Sequence, residues 1–178
     1  ILARILVPED FGLLSMGLVA INYLDMLNEL GVGPALIYQQ GDLEKKFNAA
    51  FSMSLTVNVA LTLLAFVCAP FIASFFREPR VVPIIQALSL TFVLSSIGSI
   101  HATRLKKELN FKKIFIPEIG KTIAKGGTSI VLALLGYGVW SLVLGQVAGI
   151  LVSNILYWVI VPWRPRFDFG WERIKPLL

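Results

Sequence analysis

Apolar residues fall in long uninterrupted blocks along this chain, each closed by a short cluster of glycine, proline or charged residues. A block of about 20 apolar residues is what an α-helix needs to cross a bilayer core of roughly 30 Å. Five blocks meet that length, at about 11–30, 47–76, 83–103, 114–135 and 139–161. The first begins after Pro8, Glu9 and Asp10, where proline suits a first helical turn and acids suit the positive end of the helix dipole. Gly31, Gly33 and Pro34 stop it. The second is longer than a crossing requires; Pro70 is placed to kink its far end, and tilt or overhang absorbs the excess. Gly136, Tyr137 and Gly138 leave room only for a tight turn, so the last two blocks form an antiparallel pair. Residues 1–7 read as the tail of a preceding span, and the working protein is expected to be longer. The predicted fold class is all-α, a polytopic transmembrane helix bundle.

Composition agrees with lipid as the solvent. Hydrophobic residues make up 56% of the 178 positions and charged residues 15%, against roughly 45–50% and about 25% in soluble domains. Orientation follows from lysine and arginine, which are enriched in loops kept in the cytoplasm. One alternate set of loops holds Lys45 and Lys46, then Arg104, Lys106, Lys107, Lys112 and Lys113, then Arg164, Arg166, Arg173 and Lys175. The opposite set holds Arg4, Arg77 and Arg80. Basic loops around 39–48, 104–113 and 163–178 are therefore expected on the cytoplasmic side. Trp140, Tyr157, Trp158 and Trp163 lie near block ends, where interfacial aromatic belts sit. The net charge of +5 is confined to these short loops, where topology and anionic headgroups account for it. No groove or stacking motif points to nucleic acid. Cys68, the one cysteine, sits inside an apolar block and reads as a small buried hydrophobe.

The informative residues are ionisable groups inside the blocks, because a charge near a helix centre costs roughly 2.5–3.5 kcal/mol on insertion scales. Such groups mark polar cavities or pathways. Glu118, Lys121 and Lys125 are spaced i, i+3, i+7 and share one helix face. Lys121 lies about 12 Å deeper than Lys113 and Lys125 about 6 Å deeper again, at roughly 1.5 Å per residue. Snorkelling reaches the first far more readily than the second. Either the face is the wall of a cationic cavity, or Glu118 pairs with Lys121 while Lys125 bonds a neighbouring helix. Asn22, Asp25 and Glu29 repeat the same spacing in the first block, with Asn28 beside them. Glu29 is near enough to the surface to be solvated. Asp25 is deeper; it is neutral, paired with a lysine of the fourth block, or a proton or sodium site.

Small residues permit close helix contact: Ser95, Ser96, Gly98 and Ser99, then Gly126 and Gly127, then the GxxxG pair Gly145 and Gly149. Gln146 and Asn154 are expected to hydrogen bond between helices. His101 reads as a surface histidine with no second ligand nearby. The sequence offers no nucleophile with a base, no phosphate loop and no metal-ligand cluster, so neither an enzyme, a metal site nor a cofactor is expected.

Six segments carry a resemblance: Leu2–Leu14 (LARILVPEDFGLL), Glu29–Ile37 (ELGVGPALI), Phe75–Pro79 (FFREP), Leu105–Lys112 (LKKELNFK), Leu132–Trp140 (LALLGYGVW) and Pro162–Phe167 (PWRPRF). In this order, over nearly the whole chain, they resemble the lipopolysaccharide and capsular polysaccharide exporters. These are the Wzx-like oligosaccharide flippases of the multidrug/oligosaccharidyl-lipid/polysaccharide exporter superfamily. One departure is Glu29, where the family's version of this ending has Asp, which puts in doubt any role needing the shorter side chain.

The resemblance implies a two-lobe bundle of about a dozen or more helices in the bacterial inner membrane. This chain would supply most of the N-terminal lobe, from the end of its first helix through its sixth. It also implies alternating access that moves a polyprenyl-pyrophosphate-linked oligosaccharide during polysaccharide or O-antigen biosynthesis. The implied partners are that lipid-linked substrate, membrane lipids and the polysaccharide polymerase machinery. Lys121 and Lys125, with Glu118 and Asn22, then become cavity residues, since an anionic headgroup crossing the core needs cations to replace water. Asp25 becomes the coupling-ion or proton candidate. A drug or cation antiporter of the same superfamily should favour acidic cavity walls. A non-transporting scaffold for envelope assembly should instead have both lysines touching partner helices. A polymerising enzyme lacks the large polar loop or catalytic set it would need.

Overall fold

The computed structural model describes residues 2–29 and 43–162, and every regular element among them is helical. A short α1 (Leu2–Ile5) precedes five long helices: α2 (Pro8–Glu29), α3 (Leu43–Phe76), α4 (Val81–Lys107), α5 (Phe111–Leu134) and α6 (Val139–Ile160). The helices overrun the apolar blocks because the flanking residues are themselves good helix formers. Arg104, Lys106 and Lys107, for example, occupy the last turn of α4, where cations offset the dipole. The 34 residues of α3 reach about 51 Å at roughly 1.5 Å per residue, and the helix continues through Pro70. Gly31, Gly33, Pro34, Trp163 and the basic residues beyond it, and the side chains of Arg4, Asn28, Glu29, Lys45 and Lys46, lie outside what the structure describes.

Three helices stop in the same way. At the ends of α3, α4 and α5 the pairs of backbone bonds are Glu78 N–H to Ala73 O and Arg77 N–H to Ser74 O, Asn110 to Leu105 and Leu109 to Lys106, and Tyr137 to Leu132 and Gly136 to Ala133, all at 3.0–3.1 Å. These are Schellman closures, which require a left-handed residue just past the helix. Arg77 (φ 55°), Leu109 (φ 53°) and Gly136 (φ 83°) fill that position.

α4 lies at the centre and touches all four other long helices. Its Val81, Ile84, Ile85, Leu88 and Phe92 are buried against Leu13, Ala20 and Ile21 of α2, an alanine stripe on α3 (Ala65, Ala69, Ala73) and Val143 of α6. The alanines recur every fourth residue and so form one flat ridge, which lets α3 and α4 approach closely. Thr62 adds a hydrogen bond across that contact, donating to Ser89 O at 3.0 Å.

The outer faces are apolar. Leu63, Val67, Phe71 and Phe75 on α3 are 62–82% exposed and lie every fourth residue. Ile155 and Val159 continue the pattern on α6. Continuous apolar stripes of this extent are a liability in water and neutral in hydrocarbon. Among the described residues three helices are long and apolar enough to cross a membrane: residues Ala50–Phe76 of α3, with α4 and α6. α2 and α5 have similar lengths but carry the ionisable residues that attract attention in the sequence. The chain is a membrane protein of helical bundle type.

At one end of the bundle Asp10 and Leu13 of α2, Arg80, Pro83, Ile84 and the 136–140 turn line a cavity of about 350 Å³. At the other end Leu105, Tyr157 and Val161 pack together with Ile114 and Ile160, beside the basic 104–113 turn.

Candidate functional site

The lysine face of α5 is held by α6. A Cβ added at Gly149 would lie 2.9 Å from Lys121 O and 3.1 Å from the Lys125 Cβ. One at Gly145 would lie 2.9 Å from Lys125 O and collide with the Ser129 hydroxyl. The GxxxG pair thus lets the α5 backbone rest on α6 at the turns that carry the two lysines. Beyond this contact the lysine side chains turn outward. The Lys121 side chain is 42% exposed and its ammonium lies 3.9 Å from Glu118, itself 53% exposed. Lys125 is exposed and has no acidic partner among the described residues. Of the alternatives for this face, the Glu118–Lys121 pair is present at ion-pair range, whereas the bond from Lys125 to a neighbouring helix is absent among the described residues.

Glu118 has a second contact that sequence reasoning missed: the Tyr157 hydroxyl donates to it at 3.4 Å, a long bond. Tyr157 is therefore not an interfacial belt residue; it is 4% exposed and faces α5. Trp158 also turns inward, its indole N–H donating to Ile97 O at 3.3 Å and its ring 5.2 Å from His101. The surface placement expected of His101 is wrong for the same reason. It faces α6 at the α4–α6 contact and is fully buried. Asn154 makes the interhelical bond expected of it, donating to Leu94 O at 2.6 Å. Gly98 makes room for it, since a Cβ there would strike the Asn154 amide.

Gly126 and Gly127 have open space around them, so the close packing expected of them does not occur among the described residues. They extend the open strip next to Lys125. Cys68 is half-buried.

Asn22 and Asp25 lie on an exposed part of α2, next to Tyr23 and Met26. The described residues hold no group of three or more His, Cys, Asp or Glu that suits a metal.

At the opposite end of the pair, Asp10 reaches from the first turn of α2 to accept the Val139 N–H at 3.0 Å, 129 residues away in the chain. Close by, Arg80 donates to both Glu78 carboxylate oxygens, at 2.8 and 3.1 Å. That contact holds the Glu78 carboxyl below its ordinary range. It also raises the Arg80 guanidinium, with smaller contributions from Glu9 and Asp10.

The whole chain, residues 1–178, matches the family described as Polysaccharide biosynthesis protein. The chain belongs to this family. Among similar members is the succinoglycan biosynthesis transport protein ExoT of Rhizobium meliloti (strain 1021), 29% identical over 99% of this chain and 36% of that protein. The lipopolysaccharide biosynthesis protein WzxC of Escherichia coli (strain K12) is 26% identical over 100% of this chain and 37% of its own length. The teichuronic acid biosynthesis protein TuaB of Bacillus subtilis (strain 168) is 24% identical over 86% and 32%. The chain thus spans about a third of the relatives it matches. No solved structure gives a significant match. Membership accords with the Wzx-like resemblance of the sequence.

Proposed function

We propose that this chain forms part of an exporter that carries a polyprenyl-pyrophosphate-linked oligosaccharide across the bacterial inner membrane by alternating access. In this reading Lys121 and Lys125 offer cations to the headgroup phosphates, and the basic 104–113 turn faces the cytoplasm. The observation that carries the proposal is Lys125, an exposed ammonium in the middle of α5 with no acid beside it among the described residues. A bare cation at that depth is costly in hydrocarbon, and an anionic headgroup in a water-filled vestibule offsets the cost. Support also comes from the family and from a relative named as a transport protein. Lys125→Ala in the full-length protein should cut polymer export about tenfold or more at normal membrane levels, the loss of one charged contact. Export at the wild-type rate would refute the role.

Asp25 is the proposed coupling-ion or proton site. What supports the reading is a carboxylate on the exposed part of α2, inside an apolar block. Transport by the Asp25→Asn protein should lose its dependence on pH or sodium; an unchanged dependence removes the assignment.

A further inference from the structure

Gly138 is the N-cap residue of α6, and its backbone (φ 52°, ψ −133°) lies where side chains are strained. An N-cap normally supplies a side-chain oxygen to the first free N–H groups of its helix. Glycine has none, and no side-chain cap comes from this position. Asp10 takes over that task from another helix, its Oδ1 accepting the Val139 N–H at 3.0 Å. The fit is close, since a Cβ on Gly138 would sit 3.3 Å from the same oxygen. The bond ties the start of α2 to the start of α6. Six residues into α6, about 9 Å along its axis, Gly145 begins the contact that carries Lys121 and Lys125.

We propose that Asp10 is a positioning residue: by capping α6 from outside it sets the axial position of that helix, and through Gly145 and Gly149 that of the lysine face on α5. Two segments that carry the family resemblance, containing Asp10 and Gly136–Trp140, meet at this bond. Arg80, next to Pro79, shares the lining of the 350 Å³ cavity with Asp10 and Trp140. The consequence for transport rests on the exporter reading above; the mechanical link between Asp10 and α6 does not.

The test uses full-length protein in membranes and two readouts. Hydrogen exchange over residues 137–142 should run about fivefold faster in Asp10→Ala, the factor matching the ~1 kcal/mol of a typical cap. Asp10→Asn keeps an acceptor oxygen and should stay within about twofold of wild type. In a Cys68→Ala, Lys125→Cys background, the rate at which a charged, water-soluble thiol reagent labels position 125 should shift severalfold in Asp10→Ala and not in Asp10→Asn. Unchanged exchange in Asp10→Ala overturns the capping role. Faster exchange with unchanged labelling overturns the link to the lysine face. No labelling of position 125 even with Asp10 intact contradicts the aqueous vestibule instead, and the exchange data still decide the cap. If Asp10→Ala does not accumulate, Asp10→Ser, which retains a shorter acceptor, takes its place with an intermediate acceleration expected; wild-type exchange there again overturns the proposal.

Discussion

At the residue scale, Arg77 and Leu109 stand where a Schellman closure favours glycine, each at φ near 55°. A left-handed non-glycine residue costs roughly 1–2 kcal/mol, and glycine returns part of that as unfolded-state entropy. The Arg77 side chain is exposed and donates no hydrogen bond among the described residues. Arg77→Gly should therefore raise the stability of the detergent-solubilised protein by roughly 0.5–1 kcal/mol, read as a higher thermal midpoint. A lower midpoint would mean that the guanidinium does something at this end that its exposure conceals. Single residues were also where the sequence was hardest to read. Asp10 looked like a dipole partner for its own helix, and nothing local reveals that it caps a helix 129 positions away. His101 and Tyr157 lie near helix ends, which suggests an interface, yet the α4–α6 crossing buries both. Asn154 was legible because a polar amide within an apolar helix must find an acceptor on a neighbour.

At the scale of elements, the helices were readable because each apolar block is long enough to admit one structure only in lipid. Their ends overran the blocks since hydropathy follows the hydrocarbon, whereas helix formation continues into charged flanks. The small residues divided in a way that spacing does not reveal. Gly145 and Gly149 meet the α5 backbone, while Gly126 and Gly127 meet nothing described. Two substitutions separate these cases. Gly149→Leu forces side-chain volume against the Lys121 carbonyl, which cannot yield, and should destabilise the α5–α6 pair by roughly 1–3 kcal/mol. Gly126→Ala finds open space and should gain up to about 1 kcal/mol of helix propensity. Thermal unfolding of both variants checks the pair, and equal effects would contradict the packing described.

At the scale of the whole molecule, α4 forms the axis of the bundle and α3 and α6 present apolar outer faces. The two helices that carry unusual polar residues, α2 and α5, expose them among apolar ones: Asn22 and Asp25 with Tyr23 and Met26 on one, Glu118 and Lys125 with Ile119 and Ile123 on the other. The central claim is that position 125 is wet and that its charge matters. It is tested most directly by modifying Lys125→Cys in full-length, Cys68→Ala protein with a charged aminoethyl thiol reagent and, separately, with a neutral reagent of the same length. The account predicts that export is low before modification, that the aminoethyl adduct restores it by rebuilding an ammonium there, and that the neutral adduct does not. Failure of the charged reagent to react, or equal rescue by both adducts, would contradict it.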